Sequence, residues 1–193
     1  MHSFDPEHYG PSCAALLRGV EHMPLDAGTP NQSARASLSA LTMDQLAPGR
    51  TVVDRDMAAS CLAGLWLLHN FLDESHRISQ EIDTPTGSFW HGIMHRREGD
   101  FSNAKYWFRR VRTHPVYADL AAEAARLAGD EPLEPAAQFL ARADTWDPFA
   151  MVDLVAEAVR GRSRHRALCE RIAFAEWGLL FDYCYQRAIG ANG

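Results

Sequence analysis

No stretch of this 193-residue chain alternates apolar and polar residues for more than a few positions, and the run TVV at 51–53 is too short to make a strand. A sheet is therefore excluded, and the expected fold class is all-α. Also missing are G-x-S-x-G, G-x-x-x-x-G-K and G-x-G-x-x-G, which excludes nucleotide chemistry with a standard fingerprint. Cys13, Cys61, Cys169 and Cys184 lie far apart with no C-x-x-C spacing, the pattern of four reduced thiols in a cytosolic protein. The opening MHSFDPEHYG has neither the basic nor the apolar region of a signal peptide. The longest apolar run, 57–72, contains His69 and Asn70 and is too short to cross a bilayer. A cytoplasmic location with no membrane partner is expected. Net positive charge is absent too: the formal charge of −6 argues against a general nucleic-acid binder.

Hydrophobic residues at 47% and charged residues at 23% are the balance of an ordinary globular protein, and 193 residues usually form one domain. The expected organisation is a single helical domain over 1–193, built around two long helices at about 55–80 and 163–189. Residues 1–50 are rich in Pro and Gly and read as a turn-rich wrap with short helices near 11–22 and 31–46. Asp54 can cap the first long helix, and Thr86 or Ser88 a second one from about 89 to 98, which Gly99 ends. Ser102 can cap a third, stopping before Pro115, although Asp100 could occupy that helix start instead. Asp147 with Pro148 opens a helix near 148–160.

Charge is unevenly distributed. From Arg96 to Arg112 six basic residues face only Glu98 and Asp100, and that local +4 leaves −10 for the rest of the chain. Segregation of this kind is what a localised anion site requires, with Arg96, Arg97, Lys105, Tyr106 and Arg109 as the ligand-binding candidates. Ala104, Trp107, Phe108 and Val111 share the opposite, core-facing arc of the third helix, so its aromatics and cations do not form one stacking surface and no nucleic-acid partner is expected.

His91, His95 and Glu98, at i, i+4 and i+7, form a stripe beside the core arc Phe89, Trp90, Ile93 and Met94. Two histidines at i, i+4 can share one metal ion, although the Glu of H-E-x-x-H is missing and a plain polar stripe has the same spacing. His69, Asp73 and His76 repeat that spacing one helix earlier. The connection EIDTPTGS is short, so the two helices should be neighbours with at least one of His91 and His95 in reach of His69, Asp73 or His76. The metal candidates are His69, Asp73, His91 and His95, holding a divalent ion as cofactor. Glu176, embedded among Ile172, Ala173, Leu179 and Leu180, is either a catalytic base or half of an internal ion pair with an Arg.

The runs HNFLDESHRISQ (69–80) and WHGIMHRREGDFSNAKYWFRRV (90–111) resemble a family of mostly bacterial proteins with no established activity. The resemblance implies only that the two runs belong to one unit. Together these features suggest a polar pocket with His91, His95, Glu98 and Glu176 as catalytic candidates. Hydrolase or lyase chemistry on a small anion, assisted by a metal, is the first expectation. A non-catalytic domain docking an acidic protein partner on the basic face of helix 103–112 is the alternative.

Overall fold

The computed structural model describes residues 5–129 and 131–190, and among them there is no strand. Nine α-helices carry these residues: α1 (Pro11–Leu17), α2 (Arg35–Ala40), α3 (Arg55–Leu68), α4 (Leu72–Ser79), α5 (Pro85–Glu98), α6 (Phe101–Val111), α7 (Val116–Ala128), α8 (Pro148–Val159) and α9 (Arg166–Ala188). Short 3-10 turns at Pro6–His8, Met43–Gln45 and Pro135–Ala141 connect them. No helix of the described residues is long and apolar enough to cross a membrane. The protein is all-α with a single core, and 5–54 wraps over it, burying Cys13, Leu16, Leu17, Met23, Leu25 and Leu38.

Helix starts follow from side-chain caps. Asp54 accepts from the Met57 N–H, and Asp147 accepts from those of Phe149 and Ala150. α5 begins a turn earlier than its apolar pattern suggests. Thr84 caps it by accepting from the Gly87 N–H, and Pro85 supplies a first position that needs no donor. Gly99 ends it in the left-handed region at φ 88°, and the Asp100 N–H donates to the His95 carbonyl. Asp100, rather than Ser102, caps α6 by accepting from the Asn103 N–H. A carboxylate thus occupies that helix start.

The helix expected over 55–80 is broken in two. α3 ends at Leu68, Asn70 adopts φ 65°, and α4 leaves in a new direction. The cause lies in distant side chains. Arg97 donates to the Leu67 carbonyl at 2.7 Å and to Asn70 Oδ1 at 2.6 Å, while Asn70 Nδ2 donates to the Thr29 carbonyl at 2.8 Å. Asn is among the few non-glycine residues that tolerate this backbone, and Arg97 is a second donor to the Leu67 carbonyl, which also accepts from the Asn70 N–H at 3.1 Å.

α3 and α9 form the centre, joined by the Trp177 indole donating to the Gly64 carbonyl at 2.8 Å. Gly64 also lets α5 pack closely on α3, because a Cβ there would stand 2.8 Å from the Trp90 ring. Gly87 plays the corresponding part at the α4–α5 turn. Its Cβ would collide with the Ile82 carbonyl oxygen and lie 2.7 Å from Ile82 Cβ. That closeness folds 80–84 back so that α4 runs beside α5. Gly87→Ala should therefore lower stability by about 2 kcal/mol, the usual cost of forcing a methyl into a packed site; urea unfolding checks it, and an unchanged midpoint would show that the turn has room.

Candidate functional site

α5 is enclosed by its neighbours: every residue from 86 to 97 is buried. His91 is 2% exposed and His95 7%. Their rings stack at 4.8 Å, as i, i+4 spacing on a helix dictates. α4 brings His76 to the same place, with ring centroids 4.6 Å from His91 and 5.4 Å from His95. One ring nitrogen from each of the three lies within 4.8 Å of the others. Among the described residues this is the one such group of His, Cys, Asp or Glu side chains.

The surroundings orient these rings. Glu98 Oε2 lies 2.9 Å from His95 Nδ1, and Asn103 Nδ2 lies 3.0 Å from Nε2. A proton on Nδ1 donated to Glu98 leaves the Nε2 lone pair to accept from the Asn103 amide, a single hydrogen bond that an incoming ion would have to displace. The Trp107 ring stacks on His91 at 3.8 Å and 15°. His91 Nδ1 is buried with no hydrogen-bond partner. Burial, followed by the neighbouring His95 and His76, pushes the His91 imidazole down to about 3. His95 is also lowered, chiefly by burial, with Glu98 pulling the other way. Lone pairs on neutral imidazoles are what a metal ion requires.

No family model, curated protein or solved structure matches this chain.

The structure corrects several sequence-based expectations. His69 is not in the cluster: its Nε2 lies 2.9 Å from the Leu16 carbonyl and its Nδ1 3.1 Å from Asn31 Nδ2, so both nitrogens are used to hold the wrap. Asp73 is exposed and stands outside the cluster. The turn at Asn70 is the reason, because it separates His69 from the α4 face that His76 shares. The stripes do meet, through His76.

Arg96 and Arg97 leave the basic arc altogether. Each is 2% exposed. Arg96 forms a buried ion pair with Glu176, which is fully enclosed, so Glu176 is the partner of an Arg and cannot reach a substrate. Arg97 donates to the Asp26 and Ala27 carbonyls as well as to Leu67 and Asn70, and burial pushes its guanidinium down to about 10. Lys105 pairs with Asp153 at 2.6 Å. Tyr106 and Arg109 are exposed, as the arc predicts.

Trp107 was expected in the core; it is only part-buried, whereas Ala104, Phe108 and Val111 are fully covered. His76 stands in the first stripe but not among the metal candidates, and the sequence reading misses Asn103 and Trp107 altogether. Their i, i+4 spacing on α6, set against His95 and His91 on an antiparallel α5, was the available signal.

Proposed function

We propose that this protein binds a divalent transition-metal ion through His76, His91 and His95 and uses it to activate water against a small anionic substrate, as a hydrolase or lyase. The observation that carries this reading is the convergence of three ring nitrogens together with the partnerless Nδ1 of His91. A buried polar atom without a partner is uncommon, and an ion would satisfy it. Three imidazoles leave one position of a tetrahedral zinc site for water, whose pKa the metal lowers to about 7. Zinc–nitrogen bonds of about 2.0–2.1 Å would require the three rings, whose nitrogens lie within 4.8 Å of one another, to draw closer around the ion. Glu98 on His95 supplies the carboxylate that commonly orients a ligating imidazole.

The basic docking face is the weaker reading. Lys105 and Arg110 are already paired with Asp153 and Asp83, which removes two of its cations.

The test uses untagged protein stripped with chelator. Zinc at about one hundred times its Kd should stabilise the fold by about 2.7 kcal/mol in thermal unfolding, and His91→Ala/His95→Ala should abolish the response. Cu2+ should quench indole fluorescence through Trp107. Equal zinc responses in the parent and the double variant would sink the metal site.

A further inference from the structure

Beside the imidazole cluster, where the start of α5 meets the end of α6, lies a polar recess of about 570 Å³. Thr84, Ser88, Tyr106, Arg109, Arg112 and Thr113 line it. Asp83 and Arg110 also line it but neutralise one another at 3.1 Å. Arg109 and Arg112 are exposed and have no ion-pair partner among the described residues. Two uncompensated guanidiniums thus share one concavity in a chain whose net charge is −6. Like charges lining one recess favour an anion between them. The positive end of α5 and the negative end of α6 both border the recess and oppose each other, so attraction falls on the guanidiniums.

A second observation comes from the backbone. Arg112 has φ 59° and ψ −94°, a conformation that glycine adopts freely and a β-carbon makes costly. Strain of this kind in a residue with a long charged side chain is characteristic of ligand clamps. Here it ends α6 and turns the chain so that Arg112 and Thr113 close the recess wall.

The recess is next to the cluster through two stacked layers. The Arg110 guanidinium lies 5.3 Å from the Trp107 ring centroid, and Trp107 lies on His91. Ser88 precedes His91 by one helical turn.

We infer that this recess holds the phosphate group of a small phosphoester. A carboxylate offers two coplanar oxygens and is satisfied by one guanidinium fork, whereas two separate arginines with several hydroxyls suit a tetrahedral dianion with more acceptors. The inference names the substrate class for the site proposed above and rests on that reading only for the reaction; phosphate binding stands without it.

Isothermal titration with inorganic phosphate at low ionic strength, with acetate as comparison, tests the inference. One saturable equivalent of phosphate should bind more tightly than acetate, and Arg109→Gln and Arg112→Gln should each weaken it by about tenfold, the loss expected for one charge-assisted contact. Arg112→Gly should raise the melting temperature while weakening phosphate, a split that a purely structural arginine would not give. His91→Ala/His95→Ala should keep phosphate affinity even as it loses the zinc response. Phosphate affinity unchanged in both arginine variants, equal affinity for acetate, or no saturable binding would overturn the recess. Loss of phosphate binding in the histidine variant would place the anion on the metal and overturn it equally, leaving the metal reading intact.

Discussion

Glu176→Gln should destabilise the protein by about 3–5 kcal/mol, the cost of leaving a buried charge without its partner. Glu176 is fully enclosed on α9 and Arg96 is 2% exposed on α5, so water cannot replace the lost carboxylate. The neighbouring groups offer little relief: the Arg96 guanidinium otherwise lies 5.9 Å from the Phe108 ring centroid. Replacing both partners, Arg96→Met with Glu176→Leu, removes the desolvation cost on each side and should recover most of the loss. Chemical unfolding of the two variants measures the difference. A near-neutral single variant would show that Arg96 finds another route to solvent or to a carbonyl. Zinc affinity should be the same in the refolded double variant, because neither residue touches the imidazole cluster.

Acid should weaken the fold through His114. This imidazole is 6% exposed; its Nδ1 accepts from the Val116 N–H and its Nε2 faces the Thr86 hydroxyl at 3.1 Å. Burial first, and Arg187 second, push it down to about 4. In the unfolded chain a histidine titrates near 6.5. Between these values the unfolded state holds a proton that the folded state refuses, so stability falls as pH falls. The contribution is fully present above about pH 6.5, declines by about 1.4 kcal/mol per unit, and is lost by about pH 4, about 3–4 kcal/mol in total. Urea unfolding at pH 7, 6 and 5 should show this slope in the parent and a shallower one in His114→Phe, the difference isolating this ring from the carboxylates. Parallel slopes would mean that His114 is protonated in the folded protein.

Some of the site was readable from local pattern. The His91 and His95 stripe depends only on helical spacing, and their rings do stack. Ala104, Phe108 and Val111 are buried as the amphipathic arc of α6 demands. Trp107 departs from the expected core because it stands at the edge of that arc, where 100° per residue does not distinguish a neighbour that offers core from one that offers an imidazole. Arg96 and Arg97 depart from the basic arc for a related reason. Along the chain their charges adjoin those of the exposed arc, whereas α5 is covered on all sides.

The all-α class, the caps at Asp54 and Asp147 and the glycine end of α5 follow from residues within a few positions of one another, and the sequence by itself determines them. The bend at Asn70, the withdrawal of His69, the arrival of His76 beside His91 and the pairing of Glu176 with Arg96 were decided only in the tertiary structure. Each depends on atoms brought together from distant parts of the chain: Arg97 reaches back 30 positions to the Leu67 carbonyl, and Arg96 lies 80 positions from Glu176. Helical periodicity tells which residues share a face. It carries no information about which distant carbonyl, carboxylate or ring will cover that face, and in this protein those partners set the direction of α4 and the contents of the site.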